Sequence, residues 1–502
     1  DEIDDYSIDD QAALARLVFA VGLYGRNLIL SSATASPEVI EPLAQAYTAG
    51  WQCYAALAGT NPAVNALFAA DNTKGEAEVA GDAEALSAAY ARFADRVGRR
   101  AAEAAEKAPR RRGAIVDEPL GAEDPPWASI QALHANQAVD ADRLGLDRVS
   151  VGVVRIANVN ELGPLAEAMA RFDTLDAETG LVVIPYHARQ PLLVRSLIER
   201  HLDRMLKRKP GDAGEDPLLD DPFIRDQIEQ VTARGLRNLC VVVVASPVEE
   251  VGRDHDFDWA LIEPSSTRSI IQLAGRVRRH RGPLKTREPN LLIANRNRRS
   301  LRGEKVALTR PGFEHEQSPL PTHAMSDLLG TDSPIVRSPS AKALLAKREA
   351  LDKEARLPAY ERERMQKYLE TAATVYETFR QRTTHQHAQT YPFRGGPEGV
   401  KVVWSPVNGF GYESRPPKKR PFIDYANTRF RSVEDPLPGL FPAQGVIEEE
   451  VGRWCEEGDS RCYERWLSTQ VLLSRDKGVS EQTRSYYAHP VLGVYRDPEA
   501  KG

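Results

Sequence analysis

An arginine-rich segment, Ser269–Gly282 with the sequence SIIQLAGRVRRHRG, holds the side chains best suited to chemistry. It places four arginines and a histidine within six residues. On a helix of about 3.6 residues per turn, one face carries the apolar residues Ile270, Leu273, Ala274 and Val277. The opposite face carries Gln272, Gly275, Arg276 and Arg279. A glycine in the middle of this charged face costs about 1 kcal/mol relative to alanine, which indicates that something approaches the helix there. A solvated basic face with an incidental glycine is the alternative.

The charge around this segment is concentrated. From Arg268 to Arg310 there are thirteen Lys or Arg against two Glu, whereas the 502-residue chain has a formal net charge of −6. The overall charge argues against a protein that binds polyanions with its whole surface. A local positive surface on a mildly acidic protein is typical of a phosphate-binding cleft.

The elements that must position these residues are read from hydrophobic patterning. The N-terminal part predicts a helix over 11–24, a short buried strand over Asn27–Leu30 and a helix over Pro37–Ala58. Residues 61–147 are rich in alanine and charge, which predicts a helical insertion or interdomain connector.

A second α/β array begins near residue 148. Four apolar runs predict strands, at Val149–Ile156, Leu181–Pro185, Leu239–Val244 and Trp259–Ile262. Helices are predicted at Glu161–Phe172 and Pro191–Leu206. Continuously apolar strands that alternate with helices indicate a parallel sheet covered on both faces, with ligands at the carboxyl ends of its strands.

The last third, 319–502, follows a Pro/Ser-rich linker. A long helix is predicted over Ser340–Thr384, and an aromatic and basic stretch over Tyr391–Arg431 has no periodicity from which a fold follows. The N-terminus lacks a signal pattern and no window is apolar enough to span a membrane, which predicts a cytoplasmic protein without a membrane partner. The four cysteines are expected to be reduced.

Four short motifs, taken in order, resemble those of superfamily 2 nucleic-acid helicases. They are DEID at Asp1–Asp4, SAT at Ser32–Thr34, the loop Ser246–Asp254 and QxxGRxxR at Gln272–Arg279. The resemblance implies that 1–60 is the end of a first RecA-like helicase lobe and that 148–318 is a second RecA-like parallel-sheet lobe. It also implies a mainly helical C-terminal accessory domain within 319–502.

The resemblance further implies roles for single residues. Asp1 would hold Mg²⁺ through water beside the ATP phosphates, Glu2 would activate the attacking water, and Arg276 and Arg279 would stabilise charge in the transition state. Residues implied near ATP are Gly252, Asp254, Gln272 and Gly275, and those that couple nucleotide state to DNA are Ser32 and Thr34. Residues implied to contact the DNA backbone are Tyr186, His187, Arg189 and Ser246. The remaining basic residues of the segment, Arg278, His280 and Arg281, are assigned to surface or DNA charge.

Longer stretches, Glu249–Arg281 and the first 34 residues, look like the CRISPR-associated helicase-nuclease of type I systems (the Cas-three family), subtype I-F, which is fused to the Cas-two adaptation protein. The resemblance implies an ATP- and Mg²⁺-dependent enzyme that moves 3′ to 5′ along a displaced DNA strand, unwinds the invading duplex and degrades single-stranded DNA. Implied partners are single-stranded DNA, the CRISPR RNA-guided surveillance complex, the adaptation integrase, phage inhibitor proteins and a second copy of the chain.

Two parts of that family are missing from the sequence. There is no GxxxxGK[ST] phosphate loop. The one His-Asp pair, His255-Asp256, directly follows the loop Ser246–Asp254 and is assigned to that helicase motif, so it does not indicate a nuclease cluster. We therefore expect the C-terminal half of a longer protein that is inactive alone, with the nuclease and its divalent metal in the missing N-terminal part. Two alternatives stay open at this point: another superfamily 2 helicase or translocase, and a non-catalytic DNA-binding and docking module.

Overall fold

The structure is a computed structural model. It describes residues 3, 8–32, 35–71, 73–209, 216–250, 252–309, 312–339, 356–365, 400–405, 409–412, 428–432, 437–455, 467–471 and 484–496. The predicted sites Asp1, Glu2 and Thr34 lie outside these residues, as does Cys462.

The helices are α1 (Ile8–Leu23), α2 (Pro37–Ala58), α3 (Ala83–Lys107), α4 (Trp127–Gln137), α5 (Val159–Ala170), α6 (Leu192–Met205), α7 (Pro222–Ala233), α8 (Thr267–Ala274), α9 (Arg298–Leu301), α10 (Met325–Leu328), α11 (Pro334–Arg337) and α12 (Gln444–Trp454). Residues 356–365 are also helical. The strands are β1 (Val64–Ala70), β2 (Thr73–Ala80), β3 (Gly113–Val116), β4 (Val139–Asp140), β5 (Arg148–Arg155), β6 (Thr179–Tyr186), β7 (Asn238–Ala245), β8 (Trp259–Ile262), β9 (Leu291–Ala294), β10 (Val400–Ser405), β11 (Gly409–Tyr412), β12 (Thr428–Ser432), β13 (Ser468–Val471), β14 (Arg484–His489) and β15 (Gly493–Arg496).

The central sheet has the strand order β3-β9-β8-β5-β7-β6, and every neighbouring pair on this path is parallel. The short strand β4 adds an antiparallel pair to β5. Strands β5 to β8 are buried almost throughout, as their continuous apolar runs require. The predicted parallel α/β fold is confirmed, and the carboxyl ends of its strands meet at one edge.

The region 61–147 differs from its prediction as a helical insertion. After α2 comes an antiparallel hairpin of β1 and β2, then the long helix α3, then β3, which joins the central sheet beside β9. Buried and exposed residues alternate along β1, as in a hairpin that packs one face on the protein. The helical prediction relied on the alanine content of the region and overlooked this two-residue alternation. The central sheet therefore begins at Gly113 and not at residue 148.

The predicted strand Asn27–Leu30 is wrong. These residues are irregular, and the Ile29 side chain is 86% exposed. A short apolar run becomes a strand only when a neighbouring strand completes its hydrogen bonds, and no described strand pairs with it.

The C-terminal part is not mainly helical in its described residues. Strands β11-β10-β13 form one sheet, and β12-β14-β15 form another. Residues 439–441 also pair with the edge strand β6, since Val183 N donates to Gly439 O over 2.7 Å and Phe441 N donates to Val183 O over 2.9 Å. The predicted helix over Ser340–Thr384 is confirmed at residues 356–365, the part of it that is described.

Two smaller observations concern helix apolarity and the cysteines. No described helix has the length and apolarity needed to cross a membrane. Cys53 and Cys240 are free thiols, but Cys455 is disulfide-bonded, so the expectation of reduced thiols is wrong for Cys455.

Candidate functional site

The loop after β7 forms one wall of the candidate site at the carboxyl edge of the sheet. Ser246 is 2% exposed, and its hydroxyl accepts the amide of Val248 to start a short helical turn. Its own amide donates to Tyr186 O over 3.1 Å. Gly252 is exposed with φ of +68°, a conformation that favours glycine.

A buried network ties this loop to the start of α8. Arg155, at the end of β5, donates from Nε to Glu250 Oε1 over 2.7 Å and from Nη2 to Ser265 Oγ over 2.8 Å. Ser269 Oγ donates to the same Glu250 oxygen over 2.5 Å. The sequence analysis missed Arg155 and Glu250, although an arginine that ends an otherwise apolar strand was a usable signal.

Helix α8 is shorter than predicted. The apolar face is confirmed, because Ile270, Leu273, Ala274 and Val277 are all buried. However, the helix ends at Ala274. Beyond it, Val277 forms an isolated parallel β-bridge with Phe257. A Cβ at Gly275 would lie 3.0 Å from Gln272 O, a tight contact, although its φ of −59° is one that any residue adopts. Arg276 and Arg279 therefore do not share one helical face.

Arg276 binds the loop and not solvent. Its Nη2 donates to Glu250 O over 2.9 Å, its Nη1 donates to Arg253 O, and the residue is 8% exposed. Gln272 lies one turn earlier on α8 and is partly buried. In this conformation Arg276 fixes the loop that carries Gly252 and Asp254.

Arg279 is the more accessible of the two arginines. Its Nε lies 2.8 Å from Asp254 Oδ1, and both side chains are about two-fifths exposed. His280 Nε2 reaches the same oxygen over 2.8 Å. Burial alone would raise the pKa of the Asp254 carboxyl, but His280 and Arg279 outweigh it and hold that pKa below its usual value. The structure thus brings together Arg279 and Asp254, which the sequence placed near ATP.

Arg281 is a correction to the prediction of surface or DNA charge. It is 7% exposed and donates to Asp256 Oδ1 over 2.8 Å and to Asp258 Oδ1 over 2.5 Å. Arg208 is fully buried in the same cluster and lies 2.9 Å from Asp258 Oδ1. Neighbouring Arg278 has φ of +46° and donates to Gly282 O, so it also points away from the site.

His255 joins the loop to α6. Its Nδ1 lies 2.6 Å from Glu249 Oε1, and its Nε2 lies 3.0 Å from Asp203 Oδ1. Burial opposes the charged ring, but the two carboxylates outweigh it and raise the pKa of His255. The imidazole therefore bridges two acids that favour its charged form, and it joins the loop to α6.

The predicted DNA contacts are only partly accessible. Tyr186 and His187 are buried: the Tyr186 hydroxyl donates to Glu199 Oε1 over 2.9 Å, and His187 Nε2 lies 3.0 Å from Leu492 O. Burial lowers the pKa of His187 to about 3, so its ring is neutral. Ser246 is buried as well, whereas Arg189 is partly exposed and donates to Asn160 Oδ1. Side-chain contact with DNA at Tyr186, His187 and Ser246 does not fit this geometry, because the side chains are covered by the chain itself.

The residues implied for ATP and Mg²⁺ can be compared with their surroundings. Ser32 lies in an irregular segment, and the carbonyl of the preceding Ser31 accepts a hydrogen bond from the amide of Ile3 over 3.4 Å. The described residues Ile3 and Ser31 are therefore adjacent. The partly exposed guanidinium of Arg279, which contacts Asp254 of the loop that also carries exposed Gly252, fits a phosphate-bearing ligand. Within the described residues, no group of three or more His, Cys, Asp or Glu could hold a metal ion.

Comparisons with known proteins agree with the motif order. Residues 148–282 match the family described as CRISPR-associated nuclease/helicase Cas3, C-terminal, a span that contains β5 to β8 and the arginine segment. The chain is 39% identical over 346 residues to the CRISPR-associated nuclease/helicase Cas3 subtype I-F/YPEST of Pseudomonas aeruginosa, which is 66% of this chain and 30% of that relative. It is 35% identical over 342 residues to the protein of the same name from Pectobacterium atrosepticum, with the same two shares.

The chain therefore spans about 30% of the length of these curated relatives. Among solved structures, it resembles the crystal structure of T. fusca Cas3-AMPPNP with 15% identity and a TM-score of 0.49, over 98% of this chain and 53% of that one. The named relatives confirm the resemblance to the I-F subtype of CRISPR-associated helicases, while the fusion to an adaptation protein stays a prediction.

Proposed function

We propose that the protein containing this chain is an ATP-dependent helicase-nuclease of CRISPR interference, in which the sheet from Gly113 to about residue 318 is the second helicase lobe. The proposal includes recruitment by the RNA-guided surveillance complex, 3′ to 5′ movement on single-stranded DNA and cleavage of that DNA. The names of the curated relatives support the biological setting.

One observation carries the enzymatic part of the proposal. The QxxGRxxR segment and the loop 246–254 converge at the carboxyl edge of a parallel sheet, through Arg276 on the Glu250 carbonyl and Arg279 on Asp254. Ligands of parallel α/β sheets bind at this edge. A surface of this kind can receive a nucleotide from a facing lobe.

In the proposed reaction the two arginines have different tasks. Arg276 keeps the loop in place, because its guanidinium already binds two loop carbonyls. Arg279 exchanges Asp254 for phosphate oxygens and stabilises the charge that spreads over them during transfer. Opening DNA costs about 1.4 kcal/mol per base-pair step, so unwinding requires this coupling to ATP hydrolysis.

The test is an Arg279→Ala variant of the full-length natural protein. We expect DNA-stimulated ATP turnover to fall by about 10³-fold or more, as with other arginines that act on transferring phosphates. Binding of a non-hydrolysable ATP analogue should change little, because the arginine acts on the transition state. The readout is kcat with saturating single-stranded DNA.

Arg237→Ala is the matched control. Arg237 is an exposed arginine paired with Asp147 at the amino end of β7, on the opposite edge of the sheet. It should leave turnover unchanged. If Arg279→Ala turns over ATP at the wild-type rate, the catalytic role assigned to Arg279 is wrong. If the wild-type protein shows no DNA-stimulated ATP turnover, the proposed function is wrong.

A further inference from the structure

A short connector, residues 108–112, joins α3 to β3 and lies along the arginine segment. Helix α3 packs on α2 and on the β1–β2 hairpin, so it belongs to the N-terminal part, whereas β3 belongs to the central sheet. Leu284 N donates to Pro109 O over 2.9 Å, and Asn290 Nδ2 donates to Arg110 O over 3.1 Å. The connector is therefore fastened to the chain that follows the QxxGRxxR motif.

Arg111 makes the central contacts of this connector. Its Nε donates to Val277 O over 2.8 Å and its Nη2 donates to Gly275 O over 3.3 Å. These two carbonyls flank Arg276. Arg110 Nη1 adds a bond to Arg279 O over 3.2 Å. Because α8 ends at Ala274, the carbonyls beyond it have no helical partner, and the guanidinium fork supplies donors for them.

The electrostatic surroundings of Arg111 oppose its positive charge. Burial lowers the pKa of Arg111 to about 10, the charge of Arg110 acts in the same direction, and Asp256 opposes both. The side chain still carries its charge at neutral pH. The Arg111 guanidinium holds the backbone around Arg276 through its two hydrogen bonds. Its positive charge is at the same time repelled by the charges of Arg276 and Arg279.

We propose that Arg111 is a positioning residue: it holds the segment 275–279 in place and passes movement of the N-terminal part to Arg276 and Arg279. No contact of Arg111 with ATP or DNA is required. The effect on turnover rests on the proposed function, but the effect on the segment rests on the described contacts alone.

Hydrogen exchange tests the positioning directly. In the wild-type protein the amides of Arg276, Val277 and Arg278 donate to Leu273 O, Ala274 O and Phe257 O. We expect exchange at these three amides to accelerate by about tenfold or more in Arg111→Ala, through local opening. Arg111→Lys should behave similarly, because an ammonium lacks the fork that reaches two carbonyls. Arg99→Ala, an exposed α3 arginine paired with Asp95, is the control and should change nothing there.

Steady-state kinetics of the same full-length variants test the consequence. We expect kcat of Arg111→Ala and Arg111→Lys to fall by about 100-fold, the scale of a misplacement of about 1 Å, with KM for ATP within about threefold of wild type. Unchanged exchange at 276–278 would overturn the positioning role, and a raised KM with unchanged kcat would overturn its link to Arg276 and Arg279. If the wild-type protein has no ATPase activity, the proposed function fails, while the exchange result still decides what Arg111 does.

Discussion

Single side chains below the candidate site hold its arginine segment in place. Arg281 and Arg208 share Asp216, Asp256 and Asp258 in a cluster that excludes most solvent. Burial alone would raise the pKa of Asp258, but the two arginines outweigh it and lower that pKa to about 2. The carboxylate thus depends on its partners for its charge.

Arg281→Ala tests that dependence. Removal of one partner leaves buried charge uncompensated, which typically costs about 3 to 5 kcal/mol, so the free energy of unfolding should fall by that amount. In the wild-type protein, the contribution of ionised Asp258 to the free energy of unfolding is full above pH 3.8, the ordinary carboxyl pKa. This contribution is lost as pH falls towards 2, because the folded protein then binds the proton as well. Urea denaturation at several pH values provides the measurement.

The comparison variant is Arg237→Ala, which removes an exposed pair worth about 0 to 1 kcal/mol. A loss in Arg281→Ala no larger than in this variant would show that the cluster is not a source of stability. Sequence reasoning could not separate Arg281 from Arg279, because both stand in one basic run and only the acidic partners distinguish them.

Among the elements, helix α8 is fixed at its start by a residue from far along the chain. Ser266 caps the helix, with its hydroxyl accepting the amide of Ser269 over 3.0 Å. Glu361 Oε1 accepts the amide of Thr267 over 2.9 Å. Burial raises the pKa of Glu361 to about 7, and the bond from Thr267 opposes this rise. The helix 356–365 thus contacts the motif-bearing helix through a buried carboxyl.

The raised pKa of Glu361 predicts a pH dependence of stability. The folded protein holds this proton longer than the unfolded chain, so the stability contribution is full below 4.5 and is lost as pH rises to about 7. Glu361→Gln keeps an acceptor for Thr267 without titrating. Its free energy of unfolding relative to wild type should therefore rise between pH 4.5 and 7 and stay level above pH 7.

Glu363→Gln is the matched control, since Glu363 is an exposed glutamate on the same helix. The measurement is the free energy of unfolding of wild type, Glu361→Gln and Glu363→Gln, obtained from denaturation between pH 4.5 and 7 and above. A constant difference between Glu361→Gln and wild type would rule out a buried, titrating Glu361.

For the whole molecule, the distribution of charge predicts that the affinity for single-stranded DNA depends on salt concentration. The net charge is −6, but the segment from Arg268 to Arg310 contains thirteen basic residues, of which Arg276 and Arg281 are buried and do not contribute to its surface. Binding through such a surface releases counterions, so the logarithm of single-stranded DNA affinity should fall with the logarithm of salt concentration at about −0.7 per phosphate contacted. Fluorescence anisotropy with labelled DNA across a salt series measures this slope.

RNA of the same length and sequence is the comparison ligand. Equal affinity for RNA would favour another superfamily 2 helicase over a DNA enzyme. An affinity independent of salt would contradict a phosphate-binding surface.

The sequence alone determined the parallel character of the sheet, four of its strands and the order of the motifs, because apolar runs and short polar signatures are local properties of the chain. It did not determine that β3 and β9 extend the sheet. It did not determine where the arginines point. Arg111 and Val277, which are 166 positions apart, come into contact only in the folded protein. The hydrophobic periodicity predicts a helix as far as Gly282, but Val277 instead pairs with Phe257. Once a helix ends, the direction of each side chain depends on distant partners, and only the tertiary structure decided that Arg279 faces the loop while Arg281 is buried.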